Sequence, residues 1–456
     1  MNYLMYGRKE WLQYDKSYTI SGIFFIIYKV IFEIAYIIVH NIYYVNESAV
    51  YGLDFNAFKY LFSYIILFIC IIFLPKKLNK FSSLISNLLL CFIMIPILSV
   101  YALNNQNTIC MLMLSFGFII QCLIITHVTD IKLKKITNAN GLIYLILYGI
   151  STVLLGYFLV TDGIPTLTAL NINNVYDLRS TIDLNKYISY LFALQIYVIG
   201  PFLICDNLNR KKYIRLIIIS IIQTFFYLWT GHKVIIFYMV TVFMIYIISK
   251  IKKTEKIILM TLLIIIISCI FCTLLVSLNK SFNLPLSLLV RRAMILPAQL
   301  KFDYFDFFSS YPKLGLTGIF PTWIVDIQNP YPSVGFTYLI GDLYYHSPQM
   351  NANTGYFIEG FARFGYMGCF LVFILMGFII KLFDAFAEKA GQTIIYPLCL
   401  YFFLAFNDGF LIDELFIKGK IFFMVMILIL FDFKHSYNFF KEKGKKKCQM
   451  YSQYQI

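Results

Sequence analysis

Long apolar runs follow one another along this chain, separated by short polar segments. Twelve such runs lie at about residues 19–43, 58–74, 82–102, 109–128, 141–160, 187–204, 214–230, 234–249, 256–278, 356–380, 393–407 and 416–432. Each run is apolar throughout rather than alternating between apolar and polar positions, which favours helices over the strands of a β-barrel. Because a helix needs about 20 apolar residues to cross a bilayer, each run is a candidate membrane span.

The overall composition agrees with this pattern. Of the 456 residues, 60% are hydrophobic and 13% are charged, and the mean hydropathy is +0.76. Soluble domains contain about 45–50% apolar and about 25% charged residues, so the soluble, disordered and collagenous classes are excluded. We therefore predict an all-α polytopic membrane protein with about 12 transmembrane helices in a single domain over residues 1–456. The cysteines lie mostly within apolar runs, which favours small apolar side chains over metal ligands, and we expect no metal and no cofactor.

The positive charges alternate along the chain with the predicted spans. The formal net charge is +15, and most of the 38 Lys and Arg residues fall on one side when the N-terminus is placed in the cytoplasm. Since cytoplasmic loops carry the excess of Lys and Arg, both termini are predicted to be cytoplasmic, including the basic tail 433–456. This topology accounts for the charge without a nucleic-acid partner.

Two outer connections are long enough to carry function. One covers residues 161–186, and the other covers residues 279–355, before the last three spans. The second contains too many Pro and Gly residues for one helix and too many aromatic residues for a disordered linker. We predict an ordered extracytoplasmic loop with short interfacial helices.

Cations are scarce on the predicted outer side and occupy few positions. The positions that stand out among them are Arg179, the turn His232-Lys233, the pair Arg291-Arg292, Lys301 and Arg363. Arginine forks near a membrane surface suit phosphate oxygens, and solvated charges or ordinary ion pairs are the alternative reading.

Two pairs of opposite charge have helical spacing. Glu359 and Arg363 are four residues apart at the predicted outer end of a span, where they form either a helix-stabilising pair or a carboxylate held in a cleft. Lys29 and Glu33 have the same spacing inside the first span, where an ion pair is structural or functional. Tyrosines crowd the long outer loop, and rings such as Tyr304 suit a membrane interface or the face of a sugar.

Several motifs of nucleotide and metal enzymes do not occur in the sequence. It contains no Asp-x-Asp, no Walker A motif, no GxGxxG, no HExxH and no GxSxG. An enzyme of this composition is therefore expected to use a substrate that is already in the membrane.

Three local runs stand out: TGHK at 230–233, RRAMILPAQLKFDYFDFF at 291–308 and NANTGYFIEGFARFGYMG at 351–368. Together with the layout of the spans, these runs resemble the bacterial O-antigen and capsule repeat-unit polymerases, the Wzy-type oligosaccharide polymerases. The resemblance covers most of the chain and implies a GT-C-like fold in the bacterial cytoplasmic membrane, with the active site facing outward. It also implies polymerisation of undecaprenyl-pyrophosphate-linked repeat units into O-antigen or capsular polysaccharide, with a possible chain-length regulator protein as partner.

The reaction implied by this resemblance needs a base and a set of cations. The base would take the proton of the acceptor hydroxyl, and Glu359 and His232 are the first candidates, with Asp303 as a further one. Cations would stabilise the leaving pyrophosphate, and the candidates are Arg291, Arg292, Lys233, Arg179 and Arg363. Lys301, Tyr304 and Asn353 are expected to contact substrate.

Two other functions remain open from the sequence. The protein could also be a lipid-linked oligosaccharide flippase or other transporter, because carriers too often have twelve spans. The two halves of this sequence, however, do not resemble each other as the halves of many carriers do. An O-antigen ligase would share the fold and the chemistry.

Overall fold

A computed structural model describes residues 22–44, 51–75, 80–131, 133, 140–170, 184–251, 253–276, 279–317, 319, 327–331 and 335–431. These residues form helices joined by turns, with an isolated β-bridge between Asp54 and Asn104. Arg179, Trp323 and the basic tail lie outside the described residues.

The described helices are α1 Gly22–Tyr43, α2 Ala57–Phe73, α3 Phe81–Leu103, α4 Thr108–His127, α5 Asn140–Thr161, α6 Lys186–Asn209, α7 Tyr213–Thr230, α8 Val234–Ile248, α9 Thr254–Leu274, α10 Leu296–Ser310, α11 Phe336–Tyr345, α12 Tyr356–Ala390, α13 Gln392–Leu404 and α14 Lys420–Leu430. A π-helix, Leu286–Ile295, runs directly into α10. Shorter helical turns cover Leu167–Leu170, Lys280–Asn283, Ala405–Asn407 and Asp413–Ile417.

The structure confirms the predicted all-α fold for the described residues, and it contains long apolar helices as expected for a polytopic membrane protein. Within the described part of the chain, eight helices are long and apolar enough to cross a membrane: α1, α3, α4, α5, α6, α7, α9 and α12. The other four predicted runs are apolar helices shorter than 18 residues, at α2, α8, α13 and α14. The long loop 279–355 holds the π-helix, α10 and α11.

Proline explains three irregular turns in otherwise regular helices. π-Helical turns at Leu90–Met94, Gln195–Ile199 and Leu286–Ile295 each end two residues before a proline, at Pro96, Pro201 and Pro297. Proline has no N–H to donate and its ring crowds the carbonyl four residues earlier. A wider turn ahead of the proline relieves that clash while the chain remains helical.

The chain divides into two compact units. The first comprises Met1–Thr129, Lys253–Lys381 and Phe403–Leu411, and the second comprises Asp130–Lys252, Leu382–Phe402 and Ile412–Ile456.

The first unit is built around α3, which is almost entirely buried. Serine and asparagine side chains along α3 return hydrogen bonds to carbonyls one turn earlier, as Ser86 does to Ser82 at 2.8 Å and Asn87 to Ser83 at 2.7 Å. These hydrogen bonds satisfy the polar side chains of α3, which are buried away from water.

The predicted Lys29–Glu33 pair forms in α1 and is buried. The hydroxyl of Tyr64 donates to Glu33 at 2.8 Å, and the Lys29 ammonium lies 3.9 Å from the centre of the Tyr64 ring. Tyrosine therefore supplies both a donor for the carboxylate and an aromatic face for the ammonium.

Helix α12 is broken near its start, which the prediction of one continuous span over 356–380 did not include. Gly365 has φ 68° and ψ −152°, a conformation that is essentially restricted to glycine. A Cβ on Gly360 would lie 2.2 Å from the carbonyl oxygen of Gly368, yet eight residues of straight helix span about 12 Å. The ring centres of Phe357 and Phe373 lie 4.9 Å apart. Residues 356–363 therefore fold back along the segment that follows residue 365.

The second unit has an aromatic core. Phe158 of α5, Phe192 of α6, and Phe226 and Trp229 of α7 are all buried and pack together, with the Phe158 and Trp229 rings stacked 5.4 Å apart. The Trp229 indole N–H donates to the carbonyl of Gly163 at 3.0 Å. This bond fixes the chain after α5 against the end of α7.

Candidate functional site

Two adjacent arginines lie on the π-helix that precedes α10. Arg291 is buried, its Nε donates to the hydroxyl of Ser287 at 3.0 Å, and its guanidinium lies 4.3 Å from the centre of the Tyr43 ring. Arg292 is exposed. π-Helical turns are rare in proteins, and those that occur are often found at functional sites. One arginine is thus held in place by its neighbours while the next is accessible.

Asp303 lies three turns further along, on α10, where it is buried and accepts hydrogen bonds from two neutral side chains. Gln299 Nε2 donates to its Oδ1 at 2.9 Å, and the Tyr345 hydroxyl donates to its Oδ2. Asn104 orients Gln299 by donating to its Oε1 at 3.1 Å. Burial raises the pKa of Asp303 to about 7, although the hydrogen bonds from Tyr345 and Gln299 oppose the rise.

Asp303 and Arg291 each contact a tyrosine: the Tyr345 hydroxyl donates to Asp303, and the Tyr51 ring faces the Arg291 guanidinium. Burial is the largest cause that raises the pKa of the Tyr345 hydroxyl. The nearby Asp303 raises this pKa further, and Tyr51 does so to a smaller extent. Tyr51 is itself buried, and its ring centre lies 5.8 Å from the Arg291 guanidinium. We call Arg291, Arg292, Gln299, Asp303, Tyr345 and Tyr51 the α10 cluster. Its members lie just before α2, on the π-helix, on α10 and at the end of α11.

Lys301 lies on a different face of α10, because residues two apart on a helix point in nearly opposite directions. Its ammonium donates to the carbonyl of Pro297 and to Oδ1 of Asn407, each at 2.9 Å. Asn407 Nδ2 donates in turn to the carbonyl of Ala293 at 2.9 Å. Burial lowers the pKa of Lys301 to about 7, opposed by Asp408. Lys301 thereby fixes the turn after α13 to α10.

The Glu359–Arg363 pair forms as predicted, and each of the two side chains also forms a hydrogen bond with a backbone group. Arg363 Nε donates to Glu359 Oε1 at 3.0 Å, and the backbone N–H of Leu411 donates to Oε2. A terminal nitrogen of Arg363 donates to the carbonyl of Thr317 at 2.7 Å. Both residues are at most 7% exposed. The pair therefore connects the folded-back part of α12 with two irregular segments.

The two remaining substrate candidates of the first unit lie next to each other. Tyr304 is buried and its hydroxyl donates to the carbonyl of Ala352 at 2.8 Å. Asn353, the next residue, is exposed. Of the two side chains, only Asn353 is thus open to a ligand.

The predicted pair His232-Lys233 belongs to the second unit. The helix α7 ends at Gly231, whose φ of 62° turns the chain sharply. His232 is exposed and its ring centre lies 6.3 Å from that of Phe192. The first unit thus holds the candidates Arg291, Arg292, Lys301, Asp303, Tyr304, Asn353, Glu359 and Arg363, and the second holds His232 and Lys233.

The sequence did not point to Gln299, Tyr51 or Asn407, and it indicated Tyr345 only as one of the aromatic rings of the long outer loop. The Gln299–Asp303 contact has a sequence signal, because residues four apart on a helix share a face. The Tyr345 contact spans 42 residues and the Asn407 contact spans 106. Neither has a local signal.

The α10 cluster can accept a proton and bind an anion. A carboxylate with a pKa near 7 is half ionised at neutral pH and suits a general base. Two arginines offer forked donors to phosphate oxygens. Within the described residues, no group of three or more His, Cys, Asp or Glu side chains could hold a metal ion.

No protein-family model, curated protein or solved structure matches this chain.

Proposed function

We propose that the protein is a glycosyltransferase that polymerises oligosaccharide repeat units carried on undecaprenyl pyrophosphate, at the outer face of a bacterial cytoplasmic membrane. The observation that best supports the proposal is the α10 cluster. It combines a buried carboxylate of near-neutral pKa with an arginine pair, within the segment that resembles the polymerases.

Asp303 is the proposed general base. The acceptor hydroxyl attacks the anomeric carbon of the lipid-linked donor, and its proton passes to Asp303. A new C–O bond forms, the bond from the anomeric carbon to the pyrophosphate oxygen breaks, and the electron pair leaves with the pyrophosphate. The Tyr345 and Gln299 hydrogen bonds hold the carboxylate in one orientation.

Asp303 suits this role better than Glu359 because of their partners. Both oxygens of Glu359 already accept hydrogen bonds, one from Arg363 and one from the Leu411 backbone. Protonation of Glu359 would break its ion pair with Arg363, whereas the hydrogen-bond partners of Asp303 are neutral. Glu359 is therefore assigned a structural role.

Arg292 and Arg291 are the proposed cations for the leaving pyrophosphate. Arg292 is exposed and can reach a ligand, whereas the Ser287 and Tyr43 contacts fix Arg291 beside it. Charge that develops on the leaving group is stabilised most by donors that need no reorganisation during the reaction.

Deleting the gene in the source organism tests the proposal. We expect the surface glycan on a gel to change from a ladder to a band of one repeat unit, because synthesis, flipping and attachment continue. An unchanged ladder would overturn the proposal.

A transporter for lipid-linked oligosaccharides is a second candidate, and the break in α12 favours it. Interrupted helices that carry buried charges are frequent in carriers, and Glu359 and Arg363 directly precede the break at Gly365. The same deletion separates the two functions. Loss of all surface glycan, with lipid-linked units kept inside, would indicate the transporter. Long polymer that stays on its lipid would indicate a ligase.

A further inference from the structure

A basic turn in the second unit forms a pocket that involves none of the α10 cluster. Residues 210–215, RKKYIR, join α6 to α7 and carry four cations within six positions. A cavity of about 130 Å³ opens beside this turn, lined by Tyr144, Tyr148, Asn207, Arg210, Lys212 and Arg215, with Asp206. The volume is about ten times what one water needs, so a phosphate group can enter.

Local hydrogen bonds fix the shape of the turn. Lys211 has a φ of 57°, and the N–H of Lys212 donates to the carbonyl of Asn207 at 2.9 Å. This reversal of the chain at the end of α6 brings Arg210, Lys212 and Arg215 to one cavity. The positive charges are therefore gathered by backbone geometry.

Side chains on α5 orient one wall of the cavity. Arg210 donates to Asp206 Oδ1 at 2.9 Å and to the Tyr144 hydroxyl at 2.6 Å. Asn207 Nδ2 donates to the Tyr148 hydroxyl at 2.9 Å. Asp206 is the one carboxylate in the lining and it pairs with Arg210. Among the described residues, Lys211, Lys212 and Arg215 form no ion pair within 4 Å, and the lining holds three cations against Asp206, so a net positive charge remains for a ligand.

An apolar stripe begins at the same turn and runs along α7. Ile214, Ile217, Ile218 and Ile221 share one helix face and are 49% to 77% exposed. Ile214 itself lines the open cleft formed by residues 211–215. A cationic pocket next to an exposed isoleucine stripe matches a molecule with an anionic head and a hydrocarbon tail.

We propose that this pocket binds the phosphate headgroup of an anionic membrane lipid, whose acyl chain lies along the isoleucine stripe of α7. In the topology predicted from the sequence, the turn faces the cytoplasmic leaflet, where anionic lipids are attracted by basic residues. The isoleucine stripe is the reason to assign the phosphate to a lipid rather than to a soluble phosphate compound.

Native mass spectrometry of the full-length protein in detergent tests the proposal, with phosphatidylglycerol as the probe and phosphatidylcholine as the neutral comparison. The test variant is Lys212→Gln with Arg215→Gln. The matched control is Lys250→Gln with Lys256→Gln, which removes two exposed cations from another turn of the predicted cytoplasmic side. Each cation near an anionic lipid contributes about fivefold to binding, so we expect the test variant to bind one phosphatidylglycerol about 25-fold more weakly. The control should change binding less than about twofold.

Two results would overturn the proposal. Equal loss in both variants would show that binding follows overall charge rather than the pocket. Displacement of the lipid by inorganic phosphate at equal concentration would show that the ligand is a soluble phosphate. If the test variant proves unstable on heating, Ile217→Ser with Ile221→Ser replaces it. That variant should weaken phosphatidylglycerol binding severalfold and leave glycerol phosphate binding unchanged, and unchanged lipid binding would contradict the proposal.

Discussion

Asp303 and Glu359 are buried carboxylates of the first unit whose surroundings differ. Glu359 is paired with Arg363 and also accepts a backbone N–H, so its negative charge is matched on both oxygens. Asp303 accepts two hydrogen bonds from neutral groups, and burial raises its pKa to about 7. A carboxylate matched by a cation stabilises a fold, whereas one held by neutral donors near its pKa can exchange a proton. Burial alone does not distinguish these two roles, but the partners do.

The strongest test of this difference is Asp303→Asn. We expect the polymerisation rate to fall about 10²- to 10⁴-fold, the usual contribution of a general base, while the protein level stays unchanged. Asparagine keeps an oxygen for Tyr345 and removes the proton acceptor. Asp306→Asn is the matched control, because Asp306 lies on the same helix, is exposed and bonds Tyr344 at 2.8 Å. Equal losses in the two variants would contradict the role of Asp303.

Glu359→Ala should affect folding rather than chemistry. Removing one partner of a buried ion pair leaves Arg363 uncompensated, which costs about 3–5 kcal/mol. We expect a much lower thermal midpoint in detergent and little protein in the membrane. Glu359→Gln, which keeps an acceptor for the Leu411 N–H, should lose less stability. A Glu359→Gln protein that folds normally but has no activity would instead identify Glu359 as the base.

Gly365→Ala tests the break that positions Glu359. The φ of 68° with ψ −152° is unfavourable for any residue with a Cβ, and we expect about 1–3 kcal/mol of destabilisation in thermal unfolding. Gly156→Ala is the control, since a Cβ there meets no atom within 4 Å and the residue lies inside the regular helix α5. Comparable stability of the two variants would argue against the observed fold-back of α12.

The pH dependence of the rate gives the smallest and most specific effect. A protonated Asp303 cannot accept a proton, so the rate should fall about tenfold per pH unit below its pKa of about 7 and level off above it. In Tyr345→Phe, loss of the donated hydrogen bond raises the pKa of Asp303 further. The acid side of the pH–rate profile therefore moves to higher pH, and the rate at pH 7 falls severalfold. If the rate of Tyr345→Phe falls at the same pH as that of the wild-type protein, Tyr345 does not act on the base.

The sequence predicted the helices well and predicted the site in part. Continuous apolar runs located the helices to within a few residues in most cases, although four of those helices are shorter than 18 residues. The (i, i+4) spacing correctly predicted the Lys29–Glu33 and Glu359–Arg363 contacts. Such pairs depend on one helix and are therefore visible in the sequence.

The features that the sequence did not predict depend on distant contacts. Gly365 lies in an apolar run with three other glycines nearby, and no local signal marks it as the position of the break. The near-neutral pKa of Asp303 depends on burial and on Tyr345, which lies 42 residues away. The same carboxylate on an exposed helix would have an ordinary pKa, so its role follows from packing that composition and spacing do not encode.

The most direct test of the central claim is polymerisation by the purified protein in vesicles. Lipid-linked repeat units extracted from the deletion strain serve as both donor and acceptor. We predict that the wild-type protein produces a glycan ladder and releases one undecaprenyl pyrophosphate for each linkage formed, and that Asp303→Asn does neither at a measurable rate. Repeat units that remain unlinked with wild-type protein, or a normal ladder from Asp303→Asn, would contradict the account.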